Sequence, residues 1–95
     1  MFIDIFFSEL EMVCNEFISG KLGIKAFQSN INLIESQITS IEHNAIKDSL
    51  IYADGDIELI LYTEDLGDQY AKGCKVANRI LKMIYAWEKH GEVDY

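Results

Sequence analysis

The stretch Ile24-Lys25-Ala26-Phe27-Gln28-Ser29-Asn30-Ile31-Asn32-Leu33-Ile34-Glu35-Ser36-Gln37-Ile38 decides the fold. Ile24, Phe27, Ile31, Ile34 and Ile38, continued by Ile41, recur at alternating steps of three and four. That period gathers them on one side of an α-helix, as the a/d stripe with which a bundle helix faces its neighbours. It predicts a helix over residues 23–40.

Working toward the N-terminus, Phe2 or Ile3, Phe6, Leu10, Val13 and Phe17 keep the same rhythm, and Gly20 follows where a left-handed cap ends a helix. They predict a first helix over 2–19. Toward the C-terminus, Ile46, Leu50, Ala53, Ile57 and Ile60 or Leu61 continue the pattern, but Asp54-Gly55-Asp56 falls in the middle. Two versions stay open there: one long helix, or a break with Asp56 as a new N-cap. The β-branched run from Ile57 to Thr63 admits a strand as the minor alternative. Val76, Ile80, Met83, Ile84 and Trp87 predict a last helix over 70–89, with His90 and Gly91 suited to its end. The chain has no proline and has glycine only at 20, 23, 55, 67, 73 and 91, which fits long helices punctuated by a few glycine stops. The expected architecture is all-α: one antiparallel four-helix bundle-like domain over 1–95.

Ninety-five residues suffice for a single core without staples. With 49% of residues hydrophobic and 12% aromatic, the chain is far too apolar for a disordered acidic tail, so its net charge of −8 decorates a folded body. That charge argues against direct contact with nucleic acid or an anionic membrane, both of which reward clustered Lys and Arg. Cys14 and Cys74 are expected as reduced thiols, since an ample core needs no disulfide. The apolar start Met-Phe-Ile-Asp-Ile-Phe-Phe carries Asp4, has no basic flank and is followed by Glu9, Glu11 and Glu16. Neither export nor membrane insertion is indicated, and a cytoplasmic location is expected.

Tests for chemistry give little. Asp54-Gly55-Asp56-Ile57-Glu58 matches the middle of a calcium loop, but the register puts Leu50, Tyr52 and Leu61 where oxygen ligands belong. His43, in a predicted loop, and His90, near the end, have no evident catalytic partner. Cysteines 14 and 74 with histidines 43 and 90 lack the close pairs of a zinc site. Cys14 reads as a small buried hydrophobe, and Cys74, beside Lys72 and Lys75, as an inert thiol unless those cations lower its pKa. The expectation is no enzymatic activity, no catalytic residue, no cofactor and no metal. Lys72, Lys75, Arg79 and Lys82 form a basic stripe on the last helix, expected to lie near the carboxylates of the preceding helix or in solvent.

The acidic segment is the strongest functional signal. Between Lys47 and Lys72, 24 residues hold seven carboxylates (Asp48, Asp54, Asp56, Glu58, Glu64, Asp65, Asp68) and no Lys or Arg, interleaved with Tyr52, Tyr62 and Tyr70. Crowded like charges gain little for a fold, whereas a negative surface steers a basic partner, and tyrosines supply anchoring area. The candidate binding residues are therefore Asp54, Asp56, Glu58, Tyr62, Glu64, Asp65, Asp68 and Tyr70.

Phe17-Ile18-Ser19-Gly20-Lys21-Leu22, followed by Ile24 and Phe27, resembles the turn between the first two helices of small bacterial immunity proteins of the colicin D immunity type. Their pattern is Phe-x-x-Gly/Ser-Lys-Ile/Leu with an aromatic shortly after. The likeness runs loosely through Ile57-Glu58-Leu59-Ile60-Leu61-Tyr62-Thr63-Glu64-Asp65 and covers residues 10–68, leaving the last third unmatched. It implies a helical protein that binds the C-terminal nuclease domain of a colicin or contact-dependent growth inhibition toxin, with acidic residues where that toxin takes tRNA. A ribonuclease domain must be cationic to hold phosphates, so the charge argument and the resemblance point the same way. The rival expectation is a helical adaptor that homodimerises through its isoleucine-rich faces.

Overall fold

The computed structural model describes residues 3–91, which form α1 (Ile3–Ile18), α2 (Ile24–Gln37), α3 (Asn44–Thr63) and α4 (Leu66–His90), with a 3-10 turn over Ile41–His43. Phe2, proposed for the head of the first stripe, lies outside the described residues. α1 packs on α2 and α4, and α3 on the same two, so the helices close into a ring around one core. Side-chain pairs fix the antiparallel order. Phe17 near the end of α1 stacks on Phe27 near the start of α2 at 4.5 Å. Lys47 at the start of α3 reaches Glu35 at the end of α2 at 3.6 Å. Asp56 of α3 and Glu64 just after its end pair with Arg79 and Lys72 of α4, descending as α3 ascends.

The stripes become the core. Phe6, Leu10, Val13, Phe17, Phe27, Ile31, Ile34, Ile38, Ile46, Leu50, Ala53, Ile57, Ile60, Val76, Ile80, Met83 and Ile84 are all buried. Each large apolar side chain so placed stabilises the fold by about 1.5–3 kcal/mol relative to exposure. Cys14 is buried among them and both cysteines are free thiols. Burial, aided by the charge of Glu11, pushes the Cys14 thiol up to about 12.

Glycine acts in three different ways. At Gly20, φ is +83°; its amide bonds to the Phe17 carbonyl and that of Lys21 to the Glu16 carbonyl, a Schellman ending of α1. Gly73 is a contact point: a methyl group there would stand 2.6 Å from Cζ of Phe17, so α4 meets α1 only because nothing projects. Gly55, in contrast, is exposed in the middle of an unbroken α3 and has open space around it. The long-helix version of α3 holds, because Ala53 and Ile57 on either side are both buried and outweigh the roughly 0.5–1 kcal/mol that a mid-helix glycine costs.

Two boundaries differ from the expectation. α2 ends at Gln37, not 40; Ile38 turns extended yet keeps its side chain in the core, while Ile41 sits on the 3-10 turn, 84% exposed rather than on the buried stripe. α4 begins at Leu66 instead of 70. Asp65 is its N-cap residue, its carbonyl accepts from the Asp68 and Gln69 amides, and Asp68 lies in the first turn where the helix dipole favours a carboxylate. Gly67 is therefore inside a helix, as are Gly55 and Gly73, and none of the three is a stop. Ile57 to Thr63 is helical. His43 belongs to the 3-10 turn that leads into α3, buried edge-on against Trp87 at 5.9 Å. Among the described residues no helix is long and apolar enough to cross a membrane.

Candidate functional site

A continuous α3 distributes the acidic segment around a helix and a corner. At 100° per residue, Asp54, Glu58 and Tyr62 follow one another along the side facing α2, while Asp56 points toward α4. Asp54 and Asp56 thus diverge, and no calcium-type loop exists at Gly55. Gln28 of α2 donates its side-chain amide to Asp54 Oδ1 at 3.0 Å and to Glu58 Oε2 at 2.6 Å. One neutral amide satisfies both carboxylates and leaves their charges uncancelled by it.

Between this pair and the start of α4 opens a groove of about 580 Å³, lined by Lys25, Gln28, Glu58, Leu61, Tyr62 and Gln69 among others. A second hollow of about 310 Å³ lies beside it, floored by Phe17, Gly23, Ile24 and Tyr70. Leu66 and Gln69 line both, so Leu66, 85% exposed, stands as the ridge between them. The corner is held tightly: Gln69 Nε2 donates to the Glu64 carbonyl at 3.1 Å, and two extended residues, Glu64 and Asp65, turn α3 into α4.

The eight residues proposed from sequence divide. Glu58 and Tyr62 line the larger groove, Asp54 is tied to its wall through Gln28, and Asp65 and Asp68 are exposed at the corner beside it. Asp56 and Glu64 are engaged within the fold. Asp56 lies 3.7 Å from Arg79, and Glu64 is an ion-pair partner of Lys72, whose ammonium is held above its ordinary pKa chiefly by that hydrogen bond. The segment contains no cation in sequence, yet α4 supplies two in space. Tyr70 is a clamp: its hydroxyl donates to the Ile18 carbonyl, its ring tilts against Phe17 at 5.5 Å, and the Cys74 thiol beside it raises its pKa. Of the basic stripe, Lys72 and Arg79 face the acidic helix, and Lys75 and Lys82 lie exposed.

Tyr52 and Tyr62 were already marked by the acidic segment, whereas Leu59 and Leu66 escaped the sequence reading. Tyr52, Leu59 and Tyr62 are 68%, 62% and 81% exposed, and with Gly55 between them they form a second stripe on the outward face of α3. Its signal was present in the steps of three and four from Tyr52 through Gly55, Leu59 and Tyr62 to Leu66, out of phase with the buried stripe. No family model matches the chain, no curated protein matches it in sequence, and no solved structure matches it in fold.

Proposed function

We propose that this chain is an inhibitor protein that binds the cationic nuclease domain of a toxin and covers its active site, the role of an immunity protein. The observation that carries the reading is the groove where Glu58 and Asp54 share one Gln28 amide beside the outward Tyr62. A nuclease needs Lys and Arg to hold phosphates, and those side chains fit carboxylates spaced along a helix. Asp65 and Asp68 extend the same field across the corner. Long-range attraction would speed the encounter, and Tyr62 and Leu66 would supply the desolvated contact that charge cannot.

Such a partner must be held with a nanomolar constant or better, about −12 kcal/mol. No catalysis by this chain is required. The bundle's role is to hold Glu58, Asp54 and Tyr62 in place, so that little ordering is needed on binding. Of the isoleucine-rich faces that the homodimeric adaptor reading invokes, Ile31, Ile34, Ile38, Ile46 and Ile57 are buried within the chain, while Ile41 is 84% exposed.

The test is cleavage of RNA or DNA by a nuclease domain purified from any toxin-like reading frame adjacent to this gene, with this protein added in increasing amounts. Stoichiometric loss of cleavage is expected. Glu58→Lys and Tyr62→Ala should each weaken inhibition by at least about tenfold while leaving the helical circular dichroism unchanged. Full inhibition by both variants would place the contact elsewhere.

A further inference from the structure

We propose that the outward face of α3 docks a cationic amphipathic helix of the partner, with Gly55 as the point of closest approach. Tyr52, Gly55, Leu59 and Tyr62 fall within roughly 80° of arc at 100° per residue and extend about 15 Å along the helix. A helix apolar only on its inner face would end its business at the core. α3 is apolar on both faces, and Ile51 beside Tyr52 widens the outer one. Such a face is a contact waiting for a partner of matching periodicity.

Gly55 is the second observation. Within the fold it has no reason to be glycine: φ is not positive, the helix is unbroken there, and a methyl group would meet nothing within 4 Å. Alanine would serve the monomer better. A glycine at the centre of an exposed apolar stripe does, however, let a second helix backbone come close, as Gly73 lets α4 approach Phe17 inside the fold.

Charge selects the occupant. Asp54 and Glu58 flank the stripe on the α2 side and Asp56 flanks it on the α4 side, where Arg79 also reaches it. Asp48 stands at its N-terminal end. A helix with leucine or aromatic residues at steps of three and four, and Lys or Arg on both shoulders, complements this pattern. A second copy of α3 would bring carboxylate against carboxylate. The α4 face of a second copy has charge of the right sign but few exposed apolar side chains to match the stripe.

This inference rests on the proposed-function reading only for the sign of the partner's charge, and the experiment separates the two. Isotope-labelled protein is titrated with a synthetic helix bearing leucines at i, i+4, i+7 and i+11 and lysines on their flanks, and with a scrambled peptide of identical composition. The helix should bind on the order of tenfold tighter than the scramble, shifting the amides of Tyr52, Gly55, Leu59 and Tyr62. Gly55→Gln should raise the melting temperature yet weaken the helix by a similar factor, and Leu59→Ser should weaken it without loss of folding. Equal binding of both peptides, or unchanged binding to Gly55→Gln, overturns helix docking and leaves the acidic-surface reading intact. No binding of either peptide likewise overturns helix docking, while the nuclease-inhibition assay still decides the acidic-surface reading. A stable dimer dissolved by Gly55→Gln would assign the face to a second copy and overturn the foreign helix.

Discussion

At Gly73 a hydrogen atom is the only substituent that fits. Alanine there must displace the Phe17 ring, which is already stacked on Phe27 and touched by Tyr70. Gly73→Ala should therefore destabilise by about 1–3 kcal/mol in urea unfolding, despite alanine's better helix propensity; an increase in stability would mean that Phe17 is free to move. Cys14 sets a pH dependence. Its pKa rises on folding from 9.0 to about 12, so the unfolded chain ionises first, and the support Cys14 gives is complete below 9.0 and fades as pH climbs toward 12. Across that window the native protein should lose stability faster than Cys14→Ala, by about 1 kcal/mol per pH unit, as measured by urea midpoints at several pH values. Parallel losses would contradict the burial. Neither residue's role was legible beforehand in full. Cys14's place in an apolar stripe revealed its burial, and Gly73 fell inside the predicted last helix, but its role as a contact point was hidden because the closeness of Phe17, far away in sequence, is set by the packing of α1 on α4.

At the scale of the helix, periodicity was enough wherever one face alone is apolar. Ile31 and Ile34 are at most 3% exposed, so Ile31→Ala or Ile34→Ala should each cost about 2–5 kcal/mol through the cavity left behind; an unchanged melt would remove the stripe from the core. α3 was the ambiguous element, since Asp54-Gly55-Asp56 has the local chemistry of a turn. Tertiary contact settled it: Ala53 and Ile57 are both drawn into the core, and a turn between them would expel one. Gly55→Ala should accordingly raise stability by about 0.5–1 kcal/mol, because the residue is helical and unobstructed. A decrease would show that the helix is bent there. The corner after α3 was misread for a related reason: Gly67 looks like punctuation, but the N-cap position of Asp65 and the carboxylate of Asp68 start α4 before it.

Across the whole molecule, linear charge and spatial charge differ. The long stretch without a cation suggested an uncompensated surface, and the antiparallel return of α4 places Lys72 and Arg79 against it. What remains directed outward is narrower: Asp54, Glu58, Asp65 and Asp68 around Tyr62 and Leu66, next to the Tyr52-Gly55-Leu59 stripe. That narrowing changes which variants are informative, because a lysine at Glu64 would face Lys72 and perturb the corner, whereas Glu58 is exposed and bonded only to Gln28 among the described contacts. With a net charge of −8, attraction to a basic partner should also weaken as salt rises, while the aromatic contact should not.

The central claim is met most directly by looking for a toxin-like C-terminal fragment encoded beside this gene, whose absence would itself contradict the account, and co-expressing it with this chain, following growth and purifying the complex at low and high salt. The account predicts rescued growth, a one-to-one complex that survives purification, and loss of both with Glu58→Lys combined with Tyr62→Ala. A toxic fragment that still kills, or a complex indifferent to that double substitution, would contradict it.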